Sequence, residues 1–356
     1  MLQTLKIIFL VLGSSAILAT ALPLIKNEWW WIRVFDFPRL QIIIIDIAAI
    51  TGFAYLFDRD DIYELIFMGL MAVAALYQAY HIHFYTPFSR KQVMDSEGPE
   101  EPGRQISLLV TNVLMTNTKS EKLKEVIRKS DPDIMLFLEA NGRWKDQLDY
   151  IKETHMYTAG IPLENTYGIL LYSRFRLVNV KLMFMIHGDV PSIHAKVILP
   201  SGEEVMLHCL HPRPPAPQES TSSAPRDAEL IITGRMVKED NLPALVIGDM
   251  NDVAWSNTTK LFQKISGLLD PRIGRGWYAT FNAKYAFLRW PLDHMFFSEH
   301  FKVMDIRRME QINSDHFPMY LKLNYIPEEK SDHVKPKLEQ KDIEEAAEKV
   351  LKAKEE

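Results

Sequence analysis

Acids, amides and histidines stand just past apolar runs at five places in this chain. They are T-N-V-L around Asn112, L-F-L-E-A around Glu139, H-C-L-H-P around His211, G-D-M-N around Asp249 and Asn251, and P-L-D-H around Asp293 together with S-D-H-F-P around Asp315 and His316. Gathered at one rim, such groups suit an attack on phosphate. A phosphoester resists nucleophiles because its oxygens are anionic, so a site must bring positive charge and a hydroxide equivalent together. Mg2+ takes a few hard oxygen ligands and keeps several waters, which fits one Glu with outer carboxylates better than a closed cage. Each stretch also has an ordinary structural explanation: Asn112 as a turn residue, Glu139 as a helix-start acid, His211 as a capped loop histidine, Asp293 as a surface acid, Asp315 in an Asx-turn.

The elements that must position these groups follow from the apolar pattern. Leu245, Val246 and Ile247 make an unbroken apolar run, as expected for a strand buried on both faces, and Gly248 stops it. Alternation then aims Asp249 and Asn251 the same way. Strands are also expected at Ile106–Val110, Ile134–Leu138, Gly168–Tyr172, Val178–Phe184, Ile193–Leu199, Val205–Leu210, Leu292–Phe297 and Met319–Leu323, with helices at Lys119–Lys129, Arg226–Lys238 and Thr258–Ile265. Many strands with a few interleaved helices imply a layered α/β domain of two packed sheets over residues 104–326.

The first eighty or so residues read differently. Leu5–Ile25, Leu40–Phe57 and Ile62–Tyr80 are each apolar and long enough to cross a bilayer, giving a membrane domain of three transmembrane helices over residues 1–90. A cleaved signal peptide is the alternative for the first, since Lys6 precedes the apolar run and Ala19-Thr20-Ala21 resembles a cleavage site. Asp46 and Glu64 within these segments should face a neighbouring helix or the interface. Trp29, Trp30, Trp31, Phe35 and Phe37 interleave with Lys26, Arg33 and Arg39, the composition of a segment at headgroup level. Lys26, Arg33, Arg39, Arg90 and Lys91 share one side of a three-span arrangement and Lys6 and Arg59 the other, so the positive-inside rule puts the soluble domain in the cytoplasm. Residues 91–103 read as a linker and residues 327–356 as a solvated, charged tail with an exposed helix.

Composition excludes some classes. A formal net charge of -5, with no dense Lys/Arg block between 104 and 326, argues against a broad basic face for duplex nucleic acid. Cys209 is the only cysteine, which rules out an intrachain disulfide framework or a Cys-rich zinc site. His208 and His211 form an H-x-x-H spacing, but three residues apart on a strand they face opposite ways. Arg213, Arg226, Arg275 and Arg289 are candidate phosphate contacts, each equally at home as a surface arginine. No obligate protein partner is evident.

In this order, L-E-A, G-D-M-N and S-D-H-F-P resemble the endonuclease/exonuclease/phosphatase superfamily, the DNase I-like metal-dependent phosphoesterases. Y-G-I-L-L-Y-S-R at Tyr167–Arg174 and R-W-P-L-D-H at Arg289–His294 support it. The resemblance implies a four-layer α/β sandwich and a Mg2+ (or Mn2+) cofactor. It places Glu139 as the acidic metal ligand with Asn112 beside it and Asp315 as a further metal-side carboxylate. Asp249 would orient or deprotonate the attacking water, Asn251 would steady the phosphate, and His211 would stand near the phosphoryl oxygens. Asp293 and His316 would form a hydrogen-bonded acid–histidine pair, with carboxylates favouring the imidazolium. Arg213, Thr280 and Arg289 are the expected substrate contacts. The H-P-R-P-P-A-P-Q loop, G-R-G-W-Y-A-T-F and the three spans look like a membrane-anchored bacterial branch. Some members of that branch carry the domain outside the cytoplasmic membrane and are linked to lipid-phosphate or envelope substrates, against the charge count. The expected function is thus hydrolysis of a lipid or lipid-linked phosphate ester at the inner-membrane surface. A membrane-tethered nuclease and a non-catalytic scaffold are the alternatives.

Overall fold

The computed structural model describes residues 1–25, 27–97 and 101–355, so Lys26 of the interfacial segment and the middle of the expected linker lie outside the described residues. Helix α1 (Leu2–Ala21) leads through a 3-10 turn to the short helix α2 (Trp30–Arg33), and then come α3 (Arg39–Ala54) and α4 (Ile62–Ile82). Two helices among the described residues are long and apolar enough to cross a membrane, or three if Trp30–Asp36 and Arg39–Ala54, bent by 73°, make one span. The second expected span is shorter than read: α3 has 16 residues, about 24 Å of helix. Pro38 precedes it, and the residues before that turn aside into the aromatic segment. The three helices pack through Ala16, Ile42, Ala49, Phe53 and Met71. Asp46 is buried among them, and Glu64 pairs with Lys6.

Beyond the helices come β1 (Gln105–Asn112), α5 (Glu121–Ser130), β2 (Ile134–Leu138), α6 (Gly142–Leu148), β3 (Tyr157–Ile161), β4 (Ile169–Ser173), β5 (Arg176–Met183), β6 (Ser192–Ile198) and β7 (Glu204–Leu210). They are followed by α7 (Ala224–Asp240), β8 (Ala244–Asp249), α8 (Asn257–Ser266), β9 (Asp293–Phe297), β10 (Phe301–Arg308), β11 (Met319–Tyr325) and α9 (Gln340–Glu355). The strands form two mixed sheets, ordered β10-β11-β1-β2-β4-β3 and β5-β6-β7-β8-β9. Alternating side chains divide among three interiors. Leu108, Val110, Leu136 and Leu138 meet Leu207, Cys209, Leu245 and Ile247 between the sheets. Leu109, Met135 and Phe137 pack outward on α5 and α6, and Leu210, Val246 and Phe296 pack on α7 and α8. The result is a layered α/β sandwich with helices on both outer faces.

Each sheet holds one parallel pair, β1 with β2 and β7 with β8, joined by the crossovers through α5 and α7. A parallel pair sends both carboxyl ends to one edge. Two antiparallel neighbours begin there: β9 at Asp293, in register with Asp249, and β11 at Met319, in register with Val110. Residues at the ends of β1, β2, β7 and β8 and at the starts of β9 and β11 therefore share one rim.

Two expectations about the ends of this domain are corrected. The described part of the 91–103 stretch is not a free spacer: Val93 is buried in the main core, Val303 donates its amide to the Met94 carbonyl, and Arg275 pairs with Asp95. The tail helix is not solvated all round either. Ala346, Val350 and Ala353 of α9 pack on Ala228 and Ile231 of α7, and Lys349 reaches the buried Asp227 at 2.7 Å. Helical spacing puts these small apolar residues on one stripe of an otherwise charged helix.

Candidate active site

The rim gathers most of the chemistry-bearing residues. A cleft of about 420 Å3 is lined by Glu139, His211, Asp249, Asn251, Asp315 and His316, with Tyr167, Glu219, Phe281, Trp290 and Leu292 around them. Two of these lining residues, Glu139 (φ 55°) and Asn251 (φ 50°), adopt the left-handed backbone conformation. That conformation costs a non-glycine residue about 1–3 kcal/mol and is kept where the surrounding fold enforces it, often at functional sites. Gly248, at φ 145°, lies so close to β7 that a Cβ would meet the Leu210 carbonyl oxygen at 1.9 Å, which explains the glycine of G-D-M-N.

Asn112, at the end of β1, donates Nδ2 to Glu139 Oε1 at 2.8 Å and reaches Asp249 Oδ2 at 3.4 Å, while its Oδ1 accepts the Leu114 amide. Glu139 Oε2 accepts the Met115 amide at 3.2 Å. Both carboxylate oxygens are thus aimed by donors from the β1 end. Asp249 Oδ1 accepts the Asn251 amide, and Asn251 Nδ2 is held by the Pro212 carbonyl. His211 Nε2 lies 4.0 Å from Asp249 Oδ2, and its Nδ1 has no hydrogen-bond partner among the described residues.

His316 sits between two carboxylates. Its Nδ1 is 2.8 Å from Asp293 Oδ2 and its Nε2 is 3.4 Å from Asp249 Oδ2, all three groups being buried. Burial favours the neutral ring, but Asp293 and then Asp249 outweigh it and push the imidazole up to about 10. The two carboxylates therefore favour the protonated ring. Asp249, Asp293 and His316 offer ligand atoms within 4.8 Å of one another, close enough to hold a metal ion. In that trio both ring nitrogens already face carboxylates, and an imidazolium repels a cation. Glu139 and Asp315, both oxygen donors, line the same cleft.

None of the three expected substrate contacts is among the lining residues of the cleft. Arg213 makes a two-pronged pair with Asp189 at 2.7 and 2.9 Å and lies over the Tyr167 ring, so it fastens one loop to another. Thr280 is fully buried and its Oγ1 accepts the Asp293 amide at 3.3 Å, bracing the acid of the pair. Arg289 donates to the Asn282 carbonyl and lies over Phe317. Arg226 and Arg275 are likewise spent on Asp227 and Asp95. His208 turns away from His211 and meets His194, Nδ1 to Nδ1 at 2.7 Å. Unforeseen lining residues are Val34 and Phe37 from the aromatic segment before α3, and Glu219, which accepts the Tyr167 hydroxyl at 2.6 Å. The interleaving of tryptophans, phenylalanines and arginines marked that segment, but nothing in it signalled which cleft it would wall.

A two-sheet sandwich thus brings acids, an amide and a histidine to one rim. A sequence profile of the Endonuclease/Exonuclease/phosphatase family matches residues 109–316, and the chain belongs to that family. Members of the family are hydrolases acting on phosphate esters. No curated protein matches the chain in sequence. Among solved structures, D. rerio TDP2 complexed with single strand DNA product is 16% identical with a TM-score of 0.52, covering 62% of this chain and 99% of that one. The human Nocturnin catalytic domain with bound sulfate anion is 16% identical with a TM-score of 0.51, covering 66% and 97%. These likenesses concern the fold.

Proposed function

We propose that this protein is an integral-membrane, Mg2+-dependent phosphoesterase that hydrolyses a lipid or lipid-linked phosphate ester at the bilayer surface. The observation that carries the reading is the composition of the cleft. Val34 and Phe37, which lead into α3, form part of its wall, and no Lys or Arg is among its lining residues. A polyanionic strand needs successive cations along its path. One phosphate on a headgroup needs only the metal and His316.

Glu139 and Asp315, with Asn112 steadying the first, would hold the cation, which supplies charge to the phosphoryl oxygens and acidifies a bound water. Asp249, fixed by the Asn251 amide and facing His316, would orient the attacking water and take its proton. His316, kept charged by Asp293, stabilises the charge that grows on the phosphorane, and the Asn251 and His211 side chains steady its oxygens. Mn2+ would serve the same oxygen donors.

The membrane reading rests on α1, α4 and the bent α2–α3 pair. The charge count that favours a cytoplasmic domain weakens here, because Arg39 is buried against Asp36 and Gln78 and Arg33 also pairs with Asp36. These two arginines belong to the packed interface more than to a loop, and the resemblance to a membrane-anchored bacterial branch then favours a domain on the outer face of the inner membrane. The test is to incubate the purified full-length protein with phospholipid vesicles and with plasmid, each with Mg2+. Headgroup or phosphate release with intact plasmid is expected; plasmid nicking without lipid turnover contradicts the substrate assignment. Protease digestion of the domain in intact spheroplasts is expected, and protection there contradicts the outward orientation.

A further inference from the structure

Residues 281–290 fold back on themselves as a two-stranded ribbon beside the cleft. Phe281 and Thr280 donate their amides to the Trp290 carbonyl at 3.0 and 3.1 Å, and Asn282 donates to Leu288 at 2.9 Å. The tip carries three large apolar side chains within four residues, Tyr285 (62% exposed), Phe287 (89%) and Leu288 (47%). Single exposed apolar residues are ordinary on soluble proteins. A contiguous cluster on a projecting tip needs a partner.

The position of the tip says which partner. Gln41, in the first turn of α3, donates Nε2 to the Phe287 carbonyl at 2.6 Å, and Phe37 packs edge-on against Trp290 with ring centroids 5.8 Å apart. One turn further along α3 the outward face carries Ile44, Ile45 and Ile47, all exposed. The ribbon tip thus stands where that apolar helix surface begins. Its sequence, Lys284-Tyr285-Ala286-Phe287-Leu288-Arg289, sets a tyrosine and two apolar side chains between two cations, the arrangement that suits the boundary of headgroups and acyl chains.

We propose that the 284–289 tip inserts into the headgroup–acyl boundary of the bilayer that the helices cross, as a second, non-helical anchor. The stem of the ribbon supplies Phe281 and Trp290 to the cleft wall, so insertion sets the mouth of the cleft at headgroup level. The proposal rests on the membrane reading above and not on the reaction.

Its test uses the chain's single cysteine. Cys209 is fully buried between the sheets, and burial pushes its thiol well up, so an added cysteine is labelled selectively. Phe287→Cys, and Tyr285→Cys as a second site, carry an environment-sensitive fluorophore in full-length protein reconstituted into phosphatidylcholine–phosphatidylglycerol nanodiscs. Ile44→Cys on α3 and Glu121→Cys on α5 serve as membrane and water references. The expected result is a blue-shifted emission at 285 and 287 and a loss of intensity with nitroxide lipids labelled near the headgroup, while 121 is unaffected. Water-like emission without quenching at both tip sites, with 44 quenched, overturns the insertion and leaves the membrane reading standing. Absence of quenching at 44 and at the tip overturns both.

Discussion

Lys349→Met is the perturbation that probes how the last helix is held. The ammonium of Lys349 is buried in α9 and lies 2.7 Å from Asp227 Oδ2 on α7. Asp227 also accepts Arg226 and the Thr258 hydroxyl, and Arg226 Nη1 donates to the Asn251 carbonyl at 2.8 Å. The tail is thereby connected to a residue of the cleft. Removing one partner of a buried ion pair costs about 3–5 kcal/mol. Arg226 and Thr258 still satisfy the acid, so the lower end applies, about 3 kcal/mol, or a fall in melting temperature of about 6–12 °C for a domain of this size. Burial opposes ionisation of Asp227, but Lys349 and Arg226 outweigh it and hold the carboxyl well below its ordinary range. An acid depressed on folding contributes stability that is complete above its unfolded pKa, about 3.9, and is lost only as the pH falls through the depressed value. The gap between wild type and variant should therefore be constant from about pH 5 to about pH 8. Tryptophan-fluorescence melting of the full-length protein reads it, with limited proteolysis of residues 340–355. A variant that melts with the wild type and keeps its tail protected would refute the reasoning.

Two further outcomes follow from the same physics. Glu229 is buried on α7 with its Oε1 unpartnered among the described residues, and burial pushes its carboxyl from 4.5 up to about 8. An acid raised on folding destabilises as pH climbs from the unfolded value through the folded one, by at most about 5 kcal/mol. Glu229→Gln should leave melting unchanged below about pH 4 and raise it above about pH 8; equal melting across that range contradicts the burial argument. Asp293→Asn keeps the shape beside His316 but removes the nearer of its two counter-charges. It should lower kcat about a hundredfold to a thousandfold with little change in KM, and a wild-type rate from a folded variant argues against charge on His316 as the stabilising element.

The strands that form the rim were legible because they are buried on both faces and read as apolar runs; Ile134–Leu138 is observed with the expected bounds. The strands at Tyr157–Ile161 and Phe301–Arg308 were not. They are sheet edges, one half-exposed and interrupted by Gly160, the other ending in Asp305, Arg307 and Arg308. The Gly142–Leu148 helix is seven residues long, too short to display a helical period. At the site, short motifs after strands marked residues that converge, because parallel pairing sends those ends to one edge. The ion pairs of the arginines were not legible because their partners are distant in sequence: Asp189 for Arg213, Asp95 for Arg275. A Lys/Glu/Ala tail reads as solvated until α7 supplies the face for its alanine and valine stripe.

Phosphate-ester hydrolysis by the full-length protein, with Mg2+ and with chelator, in wild type and Glu139→Gln, tests the central claim most directly. The account predicts wild-type turnover that stops on chelation and returns with Mg2+, and a loss of at least about a hundredfold in a Glu139→Gln variant that melts like the wild type. Turnover indifferent to chelation, or a variant as active as the wild type, would contradict a metal held by that carboxylate at the rim.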